Sequence, residues 1–296
     1  AHIQTQLNSP NQTEIDALLE HYQSGQYDVA EDLAKTITHA FPRYQFGWKL
    51  LGALYQHNGR LEESLVANET AVAIWPNDSE ANNNLGITLQ ALGRMNDAEE
   101  SFKKAIWMKP DFSEAYFNLG ITLQTLFRHG EAAENYKKAI AYNPDRAEAY
   151  FNLGITLQTL GKPEEAEQSF KKAIVIQPQH LKAHLNLGIT IQSLGRFVEA
   201  EEIFNKAIVI KPDDAETHYN LGNTLINLGS VIKAEASYQQ AIALKPDYAE
   251  AYCNKGATLN DLKRYDEAIA HYDKAISLKP DIDWIPGDLL HTKMRI

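Results

Sequence analysis

Asparagine side chains recur at one fixed spacing along most of the chain. They stand at Asn84, Asn118, Asn152, Asn186, Asn220 and Asn254, each 34 residues after the one before. A carboxamide both donates and accepts hydrogen bonds, so it can pair with a peptide group whatever side chains flank that group. The spacing therefore predicts a row of groups that contact main chain. We call these six residues the asparagine ladder.

The same period of 34 residues governs three other residue types, which must belong to the elements that position the ladder. Prolines follow it at Pro42, Pro76, Pro110, Pro144, Pro178, Pro212, Pro246 and Pro280. Glycines follow it at Gly52, Gly86, Gly120, Gly154, Gly188, Gly222 and Gly256, and alanines at Ala98, Ala132, Ala166, Ala200, Ala234 and Ala268. Three registers in phase identify an internal structural repeat.

Each repeat predicts two helices. With Gly52 counted as position 8, apolar residues at positions 4, 7, 8 and 11, such as Tyr150 and Leu153, follow a helical period. Glycine at position 15, as in Gly161, predicts the end of the first helix, and proline at position 32 predicts the end of the second. Acidic pairs predict capping boxes for the next first helix: Asp111 with Glu114, Asp145 with Glu148, Asp213 with Glu216, and Asp247 with Glu250.

The repeat resembles the tetratricopeptide-repeat (TPR) family, as seen in the segment EAYFNLGITLQTLGKPEEAEQSFKKAIVIQP at residues 148–178. The resemblance covers nearly the whole chain. The segment's aromatic residue, Leu-Gly pair, central alanine, second aromatic residue and closing proline are the family's pattern. The resemblance implies an all-α fold, a right-handed TPR superhelical solenoid of helix-turn-helix repeats. It also implies that the first helix of each repeat lines a concave groove.

This register predicts the domain organisation. Seven repeats are expected at 45–78, 79–112, 113–146, 147–180, 181–214, 215–248 and 249–282. Residues 11–44 keep the register but lack the Leu-Gly pair, so they predict a degenerate N-terminal repeat. Residues 283–296 predict a capping helix or a junction to a further segment.

The helical period places the ladder on the helix face opposite the packing residues, which is the face that the resemblance assigns to the groove. The predicted ligand of the ladder is therefore an extended polypeptide or a partner protein bound in this groove. Six rungs track roughly 15 residues of an extended ligand. The alternative is that the asparagines only join neighbouring repeats. Threonine at position 10 and glutamine at position 12 are predicted either to line the groove or to form solvated surface: Thr88, Thr122, Thr156, Thr190, Gln90, Gln124, Gln158 and Gln192.

Composition narrows the partners and the compartment. The net charge of −11 disfavours nucleic acid and anionic membrane surfaces. The chain has no apolar run long enough to span a membrane, and its start lacks a signal peptide's pattern. The single cysteine fits a reducing, cytoplasmic compartment. The oligomeric state is left open.

No catalytic motif, cofactor or metal site is predicted. His180 and His184 stand four residues apart on one helix, but His184 occupies a packing position and no third ligand is evident. Cys253 has no neighbouring base and is predicted to be an inert small side chain. The chain itself is therefore not expected to be an enzyme.

Two functions remain open. A long array with this ladder resembles the TPR region of bacterial protein O-linked N-acetylglucosamine transferase-like proteins, and GDLLHTKMRI at 287–296 is similar to the junction before their catalytic module. That resemblance implies an acceptor-binding region whose catalytic module is absent from this chain. The alternative is a free-standing TPR adaptor or assembly scaffold. Only one of the seven residues at position 2 is basic, which departs from the basic clamp that binds carboxylate tails; they are Phe46, Glu80, Glu114, Glu148, Lys182, Glu216 and Glu250.

Overall fold

The computed structural model describes residues 9–280 together with Leu289 and Thr292. These residues form sixteen α-helices in sequential antiparallel pairs, which confirms the predicted all-helical repeat array. The chain divides into two compact units, Ala1–Asp145 and Arg146–Ile296. No described helix has the length and apolar character needed to cross a membrane.

Unit 1 contains four helix pairs. They are α1 Gln12–Gln23, α2 Tyr27–Ala40, α3 Gln45–His57, α4 Leu61–Ile74, α5 Ser79–Ala91, α6 Met95–Met108, α7 Ser113–Thr125 and α8 His129–Tyr142. Unit 2 also contains four pairs. They are α9 Ala147–Thr159, α10 Pro163–Ile176, α11 Leu181–Ser193, α12 Phe197–Ile210, α13 Ala215–Asn227, α14 Val231–Leu244, α15 Ala249–Asp261 and α16 Tyr265–Leu278.

Within a pair, a glycine of the first helix faces an aromatic ring of the second. A Cβ atom added to Gly154 would lie 2.5 Å from Cε1 of Phe170, which is fully buried. Only glycine permits this approach. The α3–α4 pair departs from the pattern, because Asn68 replaces the ring and its Oδ1 is buried with no hydrogen bond from a described residue.

Position 4 of several first helices donates a hydrogen bond to the main-chain carbonyl of the proline six residues earlier. The donors are Trp48 Nε1, Asn82 Nδ2, His184 Nε2 and His218 Nε2, and the acceptors are the carbonyls of Pro42, Pro76, Pro178 and Pro212 at 2.9–3.0 Å. Three different side-chain types thus satisfy the same carbonyl. In these four first helices, the bond anchors the start of the helix to the end of the preceding second helix.

The predicted capping boxes are wrong. Helix α7 begins at Ser113 with Phe112 as its N-cap, and α15 has Tyr248 as its N-cap, so Asp111 and Asp247 lie one residue too early. The same shift separates Asp145 from Arg146 and Asp213 from Asp214. Aspartate caps a helix where it occupies the later position, as Asp214 does by accepting from the Thr217 amide at 3.0 Å.

A glutamate on the second helix of one pair binds an arginine of the next pair. Glu99 accepts from Arg128 at 2.7 Å and from Lys103 of its own helix, with 9% of its side chain exposed. Burial raises the pKa of the Glu99 carboxyl, but both cations outweigh that effect and hold the pKa below its ordinary value. The bond recurs in alternate pairs of helices, in Glu31–Arg60, Glu99–Arg128, Glu167–Arg196 and Glu235–Arg264.

The predicted cap at 283–296 lies outside the described residues except for two positions. Leu289 packs against the core cluster of α15 and α16 that includes Cys253 and Tyr272. Thr292 is 1% exposed, and its Oγ1 lies 3.2 Å from Oδ1 of Asn260.

Candidate functional site

All six ladder residues lie on first helices of the pairs. Asn84 and Asn118 belong to unit 1, on α5 and α7, while the others belong to unit 2: Asn152, Asn186, Asn220 and Asn254 on α9, α11, α13 and α15. Five of the six are partly exposed, and Asn118 is 9% exposed. Within each unit the fold therefore repeats one carboxamide at the same place on consecutive first helices.

The Nδ2 groups of the ladder asparagines differ in how many hydrogen bonds they donate within the protein. Asn186 Nδ2 and Asn220 Nδ2 donate to the carbonyls of Lys182 and Glu216, one turn earlier in their own helices. Asn118 Nδ2 donates to Asn83 Oδ1 at 3.2 Å, on the preceding first helix. Asn84 and Asn152 make no side-chain hydrogen bond to a described residue. The alternative prediction was that the asparagines join neighbouring repeats. Asn118 and Asn254 do form such bonds to the preceding first helix.

The ladder oxygens behave uniformly. Among the described residues, no group donates a hydrogen bond to Oδ1 of any of the six asparagines. A partly exposed amide oxygen without an internal donor is available to an N–H group from outside. The arrangement therefore repeats one acceptor without an internal donor on each of the six first helices that carry the ladder, and five of these six asparagines are partly exposed.

The threonines at position 10 neither line a groove nor form solvated surface, so both predictions for them are wrong. Thr122, Thr156 and Thr190 are 0–1% exposed. Thr156 Oγ1 donates to the main-chain carbonyl of Asn152 at 2.8 Å. Gln158 Nε2 of α9 in turn donates to Thr190 Oγ1 of α11 at 2.7 Å. This bond joins consecutive first helices of unit 2, and Gln90 Nε2 joins α5 to α7 in the same way by donating to Thr122 Oγ1 at 3.3 Å.

The position-2 glutamates remain on the surface near the ladder. Glu114, Glu148 and Glu216 are exposed and form no ion pair with a described residue. Glu250 differs because it pairs with Lys279 at 2.9 Å, which lowers the pKa of its carboxyl. A first-helix surface with unpaired carboxylates disfavours acidic ligands.

The two neighbouring histidines serve the fold. His180 Nδ1 caps α11 by accepting from the Ala183 amide at 3.2 Å, and burial lowers the pKa of His180. Cys253 is fully buried in the α15–α16 core. The described residues contain no group of three or more His, Cys, Asp or Glu arranged to hold a metal ion.

One feature of the unit 2 surface lies outside the predicted ladder. A cavity of about 330 Å³ opens beside Asn254, between α13 and α15, and its lining includes Asn223, Asn227 and Asp261. These three residues lie outside the 34-residue pattern of asparagines that predicted the ladder. The signal was present, because position 9 is isoleucine in four consecutive repeats and becomes Asn223 and then Ala257.

Comparisons with known families agree with the helical pairs. Models described as Tetratricopeptide repeat match residues 147–180, 215–248 and 249–282, residues 15–79, and residues 79–112. A model described as TPR repeat matches 128–161 and 192–229. No curated protein matches the chain significantly.

Solved structures give the same result. YrrB, described as a TPR protein with an unusual peptide-binding site, is 25% identical, with a TM-score of 0.56 over 66% of this chain and 99% of YrrB. MamA is 28% identical, with a TM-score of 0.53 over 56% of this chain and 97% of MamA. PilF of Pseudomonas aeruginosa, 20% identical with a TM-score of 0.60, covers 74% of this chain and 97% of its own and shares the fold.

The chain belongs to the tetratricopeptide-repeat family. It is a repeat scaffold of the protein-binding kind, and the matched segments include no catalytic domain.

Proposed function

We propose that the chain is a TPR adaptor that binds extended polypeptide segments along its asparagine ladder. The observation that carries this proposal is the repeated, partly exposed Oδ1 that receives no internal hydrogen bond. One acceptor per first helix suits a ligand that offers N–H groups at regular intervals, and extended main chain does so.

The proposed binding is largely independent of ligand sequence. Packed helices lie roughly 8–10 Å apart and an extended chain rises ~3.3 Å per residue, so each rung meets about every third peptide group. The four rungs of unit 2 therefore accompany roughly eight or nine ligand residues. Because the rungs contact main chain, side-chain selectivity must come from other groups near the ladder.

An acceptor-binding region of an O-linked N-acetylglucosamine transferase is the second candidate. It depends on the sequence similarity of residues 287–296, of which the structure describes only Leu289 and Thr292. The matched family models are tetratricopeptide repeats alone. The adaptor function needs no further module, and YrrB, a similar TPR protein, is described with a peptide-binding site. We therefore prefer the adaptor.

A quadruple ladder variant tests the proposal. Asn84, Asn152, Asn186 and Asn220 make no hydrogen bond to a neighbouring helix, so replacing all four by Ala should preserve the fold. A peptide bound along unit 2 loses the three rungs Asn152, Asn186 and Asn220. Each lost neutral hydrogen bond is worth about 0.5–1.5 kcal/mol, so three cost roughly 1.5–4.5 kcal/mol, or about tenfold or more in affinity. The measurement is binding to an array of unrelated 15-residue peptides.

The control carries Asn96→Ala and Asn205→Ala, two exposed asparagines outside the ladder. It should bind the array like the unchanged protein. A quadruple variant that melts normally and keeps full peptide binding would refute the ladder as a binding surface.

A further inference from the structure

The cavity beside Asn254 arises from a local change in side-chain size. Position 9 is Ile87, Ile121, Ile155 and Ile189 on α5, α7, α9 and α11. On α13 it is Asn223, and on α15 it is Ala257. Both residues have a smaller side-chain volume than isoleucine, and the cavity of about 330 Å³ opens between these two helices. It interrupts an otherwise uniform surface at the last ladder rung.

Hydrogen bonds orient the polar groups around this cavity. Asn223 Oδ1 accepts from the Tyr238 hydroxyl at 2.8 Å and from Asn254 Nδ2 at 2.8 Å. Asn254 Nδ2 also donates to the Tyr219 hydroxyl at 3.2 Å. Asn227 Nδ2 donates to the main-chain carbonyl of Asn223 at 2.9 Å. Both N–H donors of Asn254 and one of the two N–H donors of Asn227 are therefore engaged within the protein.

The groups left for a ligand are mainly acceptors. Neither Asn254 Oδ1 nor Asn227 Oδ1 receives a hydrogen bond from a described residue. The Asp261 carboxylate forms no ion pair with a described residue. None of the residues lining the cavity is basic. Asn223 Nδ2 remains a donor, which suits a main-chain carbonyl of the ligand.

Two further observations limit what can enter. Tyr238 is 1% exposed, and burial raises the pKa of its hydroxyl well above the ordinary value, so the hydroxyl stays protonated and keeps Asn223 in place. Ile226 supplies an apolar wall. A cavity with an apolar wall, two amide oxygens and a carboxylate fits a side chain with a long aliphatic stem and a cationic head.

We propose that this cavity binds an arginine side chain of the extended polypeptide held by the ladder. The inference rests on the proposed peptide-binding function and adds selectivity to it. Arginine fits better than lysine because its planar guanidinium carries five N–H donors, which can reach several separated acceptors at once. The ladder binds extended ligands regardless of their side chains, and the cavity favours those ligands that place an arginine beside Asn254.

The first test compares peptide binding by matched variants. The probes are 15-residue peptides that differ only in arginine, lysine or citrulline at one position, scanned along the peptide. The unchanged protein should prefer arginine over citrulline by about tenfold at one position. Asp261→Asn should remove most of this preference, while Asp273→Asn, an exposed carboxylate on α16, should leave it unchanged. Lysine should bind more weakly than arginine.

A second variant restores the isoleucine surface. Asn223→Ile with Ala257→Ile reproduces position 9 of α5, α7, α9 and α11, and it should abolish the arginine preference while citrulline peptides bind as before. If the unchanged protein binds all peptides without any arginine preference, the cavity proposal is overturned and the ladder proposal stands.

A third measurement separates the cavity from the ladder. N-acetyl-arginine methylamide, titrated to millimolar concentration, should shift the side-chain amide resonances of Asn227 and Asn254 in NMR spectra, whereas the citrulline analogue should not. These shifts support the cavity even if no long peptide binds, in which case the ladder proposal alone fails. Equal responses to both compounds, or no response to either, would overturn the arginine site.

Discussion

Two turns between paired helices carry a side chain where most carry glycine. Gly93, Gly161 and Gly195 have φ of 70–76°, and Phe127 and Lys263 adopt φ of 59° and 62° at the equivalent positions. For residues with a Cβ this left-handed conformation costs roughly 1–2 kcal/mol. Phe127 recovers little of that cost through packing, because it is 84% exposed.

We expect Phe127→Gly to raise the free energy of unfolding by about 0.5–1 kcal/mol, since the removed strain exceeds the extra entropy of glycine in the unfolded chain. Urea denaturation measures this difference. The reverse change, Gly161→Phe, is the control and should destabilise by a similar amount. A less stable Phe127→Gly protein would show that the phenylalanine ring contributes packing that its exposure does not reveal.

Individual residues also show where sequence interpretation succeeds and fails. Glycine adopts positive φ without strain and proline cannot continue a helix, and both properties hold in any context, so Gly161 and Pro110 located the helix ends correctly. Thr156 was misjudged, because its burial depends on how closely neighbouring first helices pack. A helical period gives the direction of a side chain but not that distance. Asp111 failed by one residue, within the usual uncertainty of helix boundaries.

At the scale of elements, the buried Glu99 joins α6 to α8 through Arg128. Its removal should weaken the contact between two successive pairs without disturbing either pair internally. The pairs themselves were predictable, because their apolar period and glycine-to-aromatic packing are local in the sequence. The partners of Glu99 were not predicted, because the bond to Arg128 spans 29 residues and depends on tertiary geometry.

We expect Glu99→Gln to lower the free energy of unfolding by about 1–2 kcal/mol, because Lys103 and Arg128 lose their shared carboxylate. Glu100→Gln removes the same charge from an exposed neighbour and should change stability little. Urea denaturation of the two variants distinguishes a buried connector from a general charge effect, and equal losses would contradict the connecting role.

For the whole molecule, buried titratable groups predict two stages of acid destabilisation. Burial lowers the pKa of His180 and His184 in the folded protein below the ordinary value of 6.5. As pH falls below 6.5, these histidines therefore bind protons in the unfolded chain before they do so in the folded protein, and stability declines. The carboxyls of Glu31, Glu99 and Glu167 have pKa values below the ordinary 4.5. Their contribution is present above pH 4.5 and is lost as pH falls through the lowered pKa values.

Calorimetric melting across pH should therefore show a modest decline as pH falls below the ordinary histidine pKa of 6.5 and a steeper one below 4.5. His184→Asn isolates the first stage, because Asn82 at the same repeat position makes the same bond to a proline carbonyl and does not titrate. That variant should have a smaller decline above pH 4.5 and the same decline below 4.5. An unchanged profile would exclude His184 as a source of the first stage.

The alternating glutamate–arginine bond also bears on how such an array gains or loses length. Removing residues 181–214 would leave Glu167 opposite Ser230, a buried carboxylate that has lost its arginine. Removing residues 181–248 would instead place Arg264 opposite Glu167 and restore the bond. Insertions and deletions of two repeats are thus tolerated where those of one are penalised. Gene duplication and protein engineering should therefore add or remove repeats of this chain two at a time.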